Sequence, residues 1–398
     1  MNDFSMQHRV LQVLFSLVIL SLPLKNAIYQ ISYGLFALLF LFAVVRGGNY
    51  QIFQENIRFS VLFALIILSM AISNYFGVEG GERWELLLKF AFRYVILFFA
   101  VLYLLKERVV SGKFILWLLV ASFSIQALDG IYQQYTGHDF FVGREIVGDK
   151  LIAATFSQNA LGFLLFVNVS ILIYYLAATV QEGARPWAII AVGLLIGVSG
   201  YVLLHTGSRS SWVASVFFIL ALVALNFRRL NIRSLVAIAV FMAIAAWYIS
   251  YDNSVLSRFN TLVTGQFPVR IHLWLFSFET FLLSPSFGYG LNSFAVLGGP
   301  YVGMPHNIVM EILLFLGIVG LGLFSILFFS VFMASVQVLN QDRLLGSFLM
   351  ALFTAILVEY LFDHSITDSK ITNTVLFTIM AVIVNAGHGI MNLRESQV

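Results

Sequence analysis

The chain has 398 residues, of which 60% are hydrophobic and only 10% charged, and it contains no cysteine. So little polar surface excludes a soluble globular domain, and the missing thiols exclude disulfides, cysteine nucleophiles and thiolate metal sites. The formal net charge of +3 reads as membrane topology, because no basic stripe interleaved with aromatics points to nucleic acid.

Lipid offers no partner to backbone N–H and C=O groups, so each crossing needs a helix of roughly 20 apolar residues. Runs of that length predict about twelve spans, near 10–24, 27–45, 59–76, 85–105, 114–134, 151–177, 187–205, 211–227, 234–250, 308–337, 344–362 and 372–391. The expected fold class is an all-α polytopic membrane protein with about 12 transmembrane helices, a single membrane domain over 1–398. Within it, 251–307 forms a short segment outside the membrane between spans nine and ten. No small-residue cleavage site follows the first apolar run, where Leu22-Pro23-Leu24-Lys25 stands, so that run reads as a retained span. Basic residues in the short loops, with Arg228, Arg229 and Arg233 the clearest cluster, place both termini in the cytoplasm. Acids such as Glu79, Glu82, Asp139, Asp252 and Asp363 then fall outside.

In chain order, the first two spans read as scaffold. Glu85, Lys89 and Arg93 recur every fourth residue on one face of the fourth span. Two readings stand side by side: an ion-pair ladder with snorkelling side chains, or a track for an anionic lipid headgroup. The mixed-charge stretch 135–150 reads as a solvated loop. Gly207 breaks the seventh run, which predicts a tight outer hairpin with Arg209 at its tip. Ser208, Ser210 and Ser211 surround that guanidinium at a helix N-terminus, a receptor suited to phosphate. Residues 270–283 are too few to span and predict an interfacial amphipathic helix, with Arg270, Ser277 and Ser284 on one stripe. Gly288-Tyr289-Gly290 and Gly298-Gly299-Pro300 predict a pliable loop, a lid that delivers Pro305-His306 to the tenth span. Glu359, Asp363, His364 and Asp368 gather at the outer end of span eleven, either as a solvated helix end or with Asp363 orienting an imidazole or a sugar. The seven histidines have no paired-ligand spacing, so no metal is expected.

On this reading Arg209, Arg270 and His306, with Asp363, project from the outer ends of separate segments. Guanidiniums stay charged and grip phosphate bidentately, and histidine accepts a proton near neutral pH. The expected donor is therefore a lipid carrying a phosphate or diphosphate, reached from within the bilayer. His306-Asn307, then nine residues, then Gly317-Ile318-Val319-Gly320 resembles the histidine-glycine pattern of the bacterial O-antigen ligase family. Ser208-Arg209-Ser210 is similar to that family's first arginine segment. Arg270 with Leu273-Trp274, Ser284-Pro285 and Gly288-Tyr289-Gly290 is similar to its second, and Asp363 to its acidic position.

The resemblance implies a membrane-type glycosyltransferase fold and an inverting, metal-independent enzyme without a cofactor. It implies a multi-pass protein of the bacterial inner membrane with a periplasmic site. The implied donor is an undecaprenyl-diphosphate-linked glycan, and the implied acceptor is a sugar hydroxyl on lipid A–core. Carried onto this sequence, His306 would be the general base, and Arg209 and Arg270 would hold the diphosphate. Asn307 and Asp363 fall in the substrate-binding set. Lys89 and Arg93 join it from their helix face alone, outside the resemblance. Two alternatives remain: a polymerase joining lipid-linked repeat units, and a transporter of polyprenyl lipid or solute.

Overall fold

The computed structural model describes residues 2–24, 26–48, 50–78, 83–229, 243, 247–264, 268–300 and 303–389. Among these, ten helices are long and apolar enough to cross a membrane. They are α2 (Asn26–Gly47), α3 (Ile57–Phe76), α4 (Arg83–Lys106), α5 (Gly112–Thr136), α6 (Gln158–Gln181), α7 (Pro186–His205), α8 (Arg209–Asn226), α11 (Ile308–Gln341), α12 (Arg343–Tyr360) and α13 (Lys370–Gly387). Each answers to a predicted run. The first predicted run is α1 (Asn2–Ser21), whose apolar part, Met6–Ser21, is shorter. The ninth, 234–250, lies largely outside the described residues, as do Lys25, Glu79, Glu82, Arg233 and Arg394. Two helices follow it, α9 (Asn253–Val263) and α10 (Pro268–Phe281). The protein is an all-α polytopic membrane protein.

α13 runs through the middle of the bundle, with 89% of its spanning window buried, against 28% for the peripheral α7 and α8. A central membrane helix must satisfy its polar side chains inside the protein. Here Asn373 accepts from the Tyr360 hydroxyl at 2.6 Å, Thr374 pairs with Tyr29 at 2.9 Å, and Thr378 donates to the Thr374 carbonyl at 2.7 Å. Tyr94 stacks on Phe377 at 5.4 Å, joining α4 to the same core.

The tenth run, expected as one continuous span over 308–337, is α11, and it breaks at Gly317, where φ is +65° and ψ is −163°. Such a break frees backbone groups inside the membrane, and they need protein partners. The segment 285–290 supplies them. Ile318 N donates to Pro285 O at 2.8 Å, Tyr289 N to Leu314 O at 3.0 Å and Gly290 N to Phe315 O at 3.0 Å. The Ser73 hydroxyl also donates to Phe315 O, at 2.5 Å. Gly288, at φ +68°, packs so closely on the Leu314–Leu316 backbone that any Cβ would overlap it. This half of the expected lid is therefore a wedge bonded into the broken helix, not a pliable loop.

A second irregularity lies in α4. Residues Phe90–Val95 form a π-helical turn, with the Tyr33 hydroxyl donating to the carbonyls of Phe92 at 2.5 Å and Arg93 at 2.9 Å. The widened turn interrupts the α-helical register between Lys89 and Arg93.

Candidate active site around His306

His306 stands immediately before the helix cap, at φ +52°, a left-handed conformation that costs a non-glycine residue about 1–2 kcal/mol. Asn307 caps α11: its Oδ1 accepts from Val309 N at 2.9 Å and Met310 N at 3.1 Å. Its Nδ2 donates to Leu361 O at 2.8 Å, tying the cap to the end of α12. Both ends of this amide are committed to backbone, so Asn307 shapes the turn that presents His306.

The imidazole Nδ1 lies 2.9 Å from Asp363 Oδ1 and 3.1 Å from the Asp363 carbonyl oxygen. A carbonyl oxygen accepts only, so Nδ1 carries the hydrogen and donates it to Asp363. In the neutral ring Nε2 is then the lone-pair nitrogen, free to take a proton. Asp363 is 4% exposed. Burial pushes its carboxyl up, but the hydrogen bond from His306 and the charges of His364, His306 and Arg270 outweigh that and hold it below the usual range.

Of the two predicted arginines, Arg270 lies within electrostatic reach of this pair, and Arg209 within reach of Arg270. The Arg270 charge acts on Asp363 and His364, and it also acts on Arg209. Arg209 reaches Thr261 of α9 at 3.5 Å. Arg258, on α9, joins them and pairs with Asp149 at 3.1 Å. Lys150 completes the group; burial, followed by the charges of Arg258 and Arg209, lowers its ammonium below the usual range. Four basic side chains from four segments thus act on one another across neighbouring helix ends and loops. Sequence reading missed Arg258, although α9 is distinctly amphipathic, with Val255, Phe259 and Leu262 set against Ser254, Arg258 and Thr261.

The expected serine receptor is not open to a ligand. Ser208, Ser210 and Ser211 are all buried and share hydrogen bonds, and the Ser211 hydroxyl donates to Glu359 Oε1 at 2.5 Å. His364 lies 3.6 Å from the same carboxylate. Burial lowers the His364 imidazole, yet Glu359 and Asp363 reverse this and raise it above the usual value. The stripe on α10 also differs from expectation. Ser277 and Leu273 face inward, while Val269, Ile271, Leu275 and Phe278 are exposed, so the apolar side turns outward. The stretch 135–150 is largely exposed, as expected, but its turn is ordered around one buried acid: Asp139 is 1% exposed and accepts from Val142 N at 2.7 Å and Arg144 N at 2.5 Å.

Lys89 pairs with Glu85 at 2.8 Å, as the ladder reading had it. Arg93 does not extend that ladder; its charge acts on Tyr29, Tyr33, Tyr94 and Lys370.

Glu311 was not singled out from the sequence, although an acid one turn inside an apolar span is a signal of function or buried pairing. It is 1% exposed and accepts from Ser365 Oγ at 2.8 Å and Thr367 Oγ1 at 2.9 Å. The loop that carries Asp363 is thereby clamped to the helix that follows His306. Glu311→Ala should leave both hydroxyls without this buried acceptor, at about 1–3 kcal/mol. A lower Tm together with weaker transfer is expected, and an unchanged Tm would refute the clamp.

Fold and site together define a polytopic helical membrane protein with a carboxylate-oriented histidine and a group of basic side chains at helix ends. Residues 198–325 match the family model described as O-antigen ligase. That segment holds Arg209, Arg270, His306 and both glycines of the motif, and it establishes the O-antigen ligase family resemblance of this chain. Members of the family are glycosyltransferase-like enzymes. No curated protein matches the chain.

Proposed function

We propose that the protein is an O-antigen ligase, transferring a glycan from undecaprenyl diphosphate to a sugar hydroxyl of lipid A–core on the periplasmic side of the inner membrane. The observation that carries this reading is the Nδ1 contact to an obligate acceptor, which leaves His306 Nε2 as the proton acceptor. The acceptor oxygen attacks the anomeric carbon, and its proton passes to His306 Nε2. The anomeric C–O bond to the diphosphate breaks with its electron pair going to the departing diphosphate oxygen, which inverts the carbon. Asp363 holds the ring and offsets the imidazolium charge as it forms. Arg209 and Arg270 bind the diphosphate and stabilise the charge it gains, so the step needs no metal. Lys89 and Arg93 take no part in this step.

Purified protein in detergent, given lipid-linked glycan and lipid A–core, should yield capped lipopolysaccharide. Longer lipid-linked chains would instead identify a polymerase, and no transfer at all in the absence of a gradient would favour transport. Arg270→Ala should lower transfer about 10²–10³-fold, the range for loss of one charge-stabilising donor. Wild-type turnover in that variant would remove Arg270 from the site.

A further inference from the structure

Two other cations, Arg144 and Lys370, meet over one ring, and a third, Arg93, acts on Lys370 through its charge; the proposed transfer uses none of them. Lys370 opens α13, and its ammonium donates to Asn26 Oδ1 at 2.7 Å. It sits 4.9 Å from the centre of the Tyr29 ring and 5.7 Å from that of Phe156. Arg144 covers the same Phe156 ring at 4.1 Å and is held there by the carbonyls of Ala154, at 2.6 Å, and Thr155. Arg93 and Arg144 both act electrostatically on Lys370. Among the described residues none of the three forms an ion pair with a carboxylate. Asp368 is exposed nearby but is not paired with them.

Bringing three like charges together at a low-dielectric rim is unfavourable unless an anion offsets them. Arg144 is fixed by two carbonyls and Lys370 by an amide and two rings, so both are positioned and are not trailing into water. Below them, Ile28, Ile31, Leu35 and Leu38 form an exposed apolar stripe down α2, the helix that begins with Asn26. A ligand with a phosphate head and an acyl tail matches both features. A free phosphate would use only the first.

We propose that Arg93, Arg144 and Lys370 form an anion site for the phosphate of a membrane phospholipid, whose acyl chain lies along the exposed face of α2. Arginine grips phosphate oxygens bidentately, lysine adds a point charge, and Phe156 holds both cations in place. The site does not depend on the transferase reading, because its occupant is bound and not transformed.

The test is lipid retention by the full chain in nanodiscs of phosphatidylcholine containing a minor fraction of phosphatidylglycerol, followed by native mass spectrometry in detergent. Wild type should retain phosphatidylglycerol above its share of the disc. Lys370→Gln keeps a donor for Asn26 and removes the charge; it should cut that retention about tenfold without lowering Tm. Arg93→Gln serves as a second variant should Lys370→Gln fail to fold. Retention in proportion to disc composition, or retention unaltered by the variants, would overturn the proposal. Displacement of the lipid by millimolar inorganic phosphate would overturn the role given to the acyl chain.

Discussion

His306→Ala is expected to lower glycan transfer by ~10²–10⁴-fold, the usual contribution of a positioned general base. Folded yield and Tm should stay near wild type, because the imidazole is partly exposed and among the described residues it bonds to Asp363 alone. Removing it takes a hydrogen bond from the Asp363 carboxylate, on which the charges of His364 and Arg270 still act. Asp363→Asn gives the finer reading. Its amide oxygen can still accept from Nδ1, and the backbone carbonyl remains, so the tautomer is kept while the charge that offsets the imidazolium is lost. A smaller fall than in His306→Ala is expected, with substrate binding largely preserved. Near-normal turnover in His306→Ala, measured as capped product per folded protein, would end the base assignment.

Gly317→Ala is expected to damage the fold itself. At φ +65° an alanine costs about 1–2 kcal/mol through backbone strain alone. Its Cβ would also overlap the Ser286 carbonyl group, which is held by the bonds that close the broken helix. The wedge 285–290 and α11 cannot separate without leaving backbone groups unsatisfied at membrane depth. A marked loss of folded yield and a lower Tm should follow. Gly322→Ala is the matched control, since open space surrounds that position and no change is expected. If both variants expressed and melted alike, the bonded break would not be a determinant of the fold.

These two glycines illustrate what sequence pattern conveys and what it does not. The family resemblance marked Gly317 and Gly320, the glycines of its histidine-glycine pattern, as positions to watch. Why Gly317 is needed is not legible there: the partners that fill the break, Ser73 and residues 285–290, come from distant segments. Gly288 and Gly290 looked like hinge residues for the same cause, since a glycine reads alike whether it supplies flexibility or permits close contact. Glycine at 288 serves contact.

The arginines and the serines divide in the same way. Arg209, Arg270, His306 and Asp363 stood out because a charge at the end of an apolar run is costly and therefore informative. Serines have no such cost, and whether Ser208, Ser210 and Ser211 face a ligand or one another depended on Glu359, which lies far along the chain. Arg258 and Glu311 were overlooked for complementary reasons: one sits on a short amphipathic helix in a polar stretch, the other inside a helix that reads as uniformly apolar.

The class of protein and ten of the spans were legible in the sequence alone, since lipid imposes a length and hydropathy rule that each segment obeys independently. Tertiary structure alone decided the tautomer of His306, the break in α11 and the company of each charge. Those depend on atoms brought together from segments far apart in sequence, and no local pattern records where such partners lie.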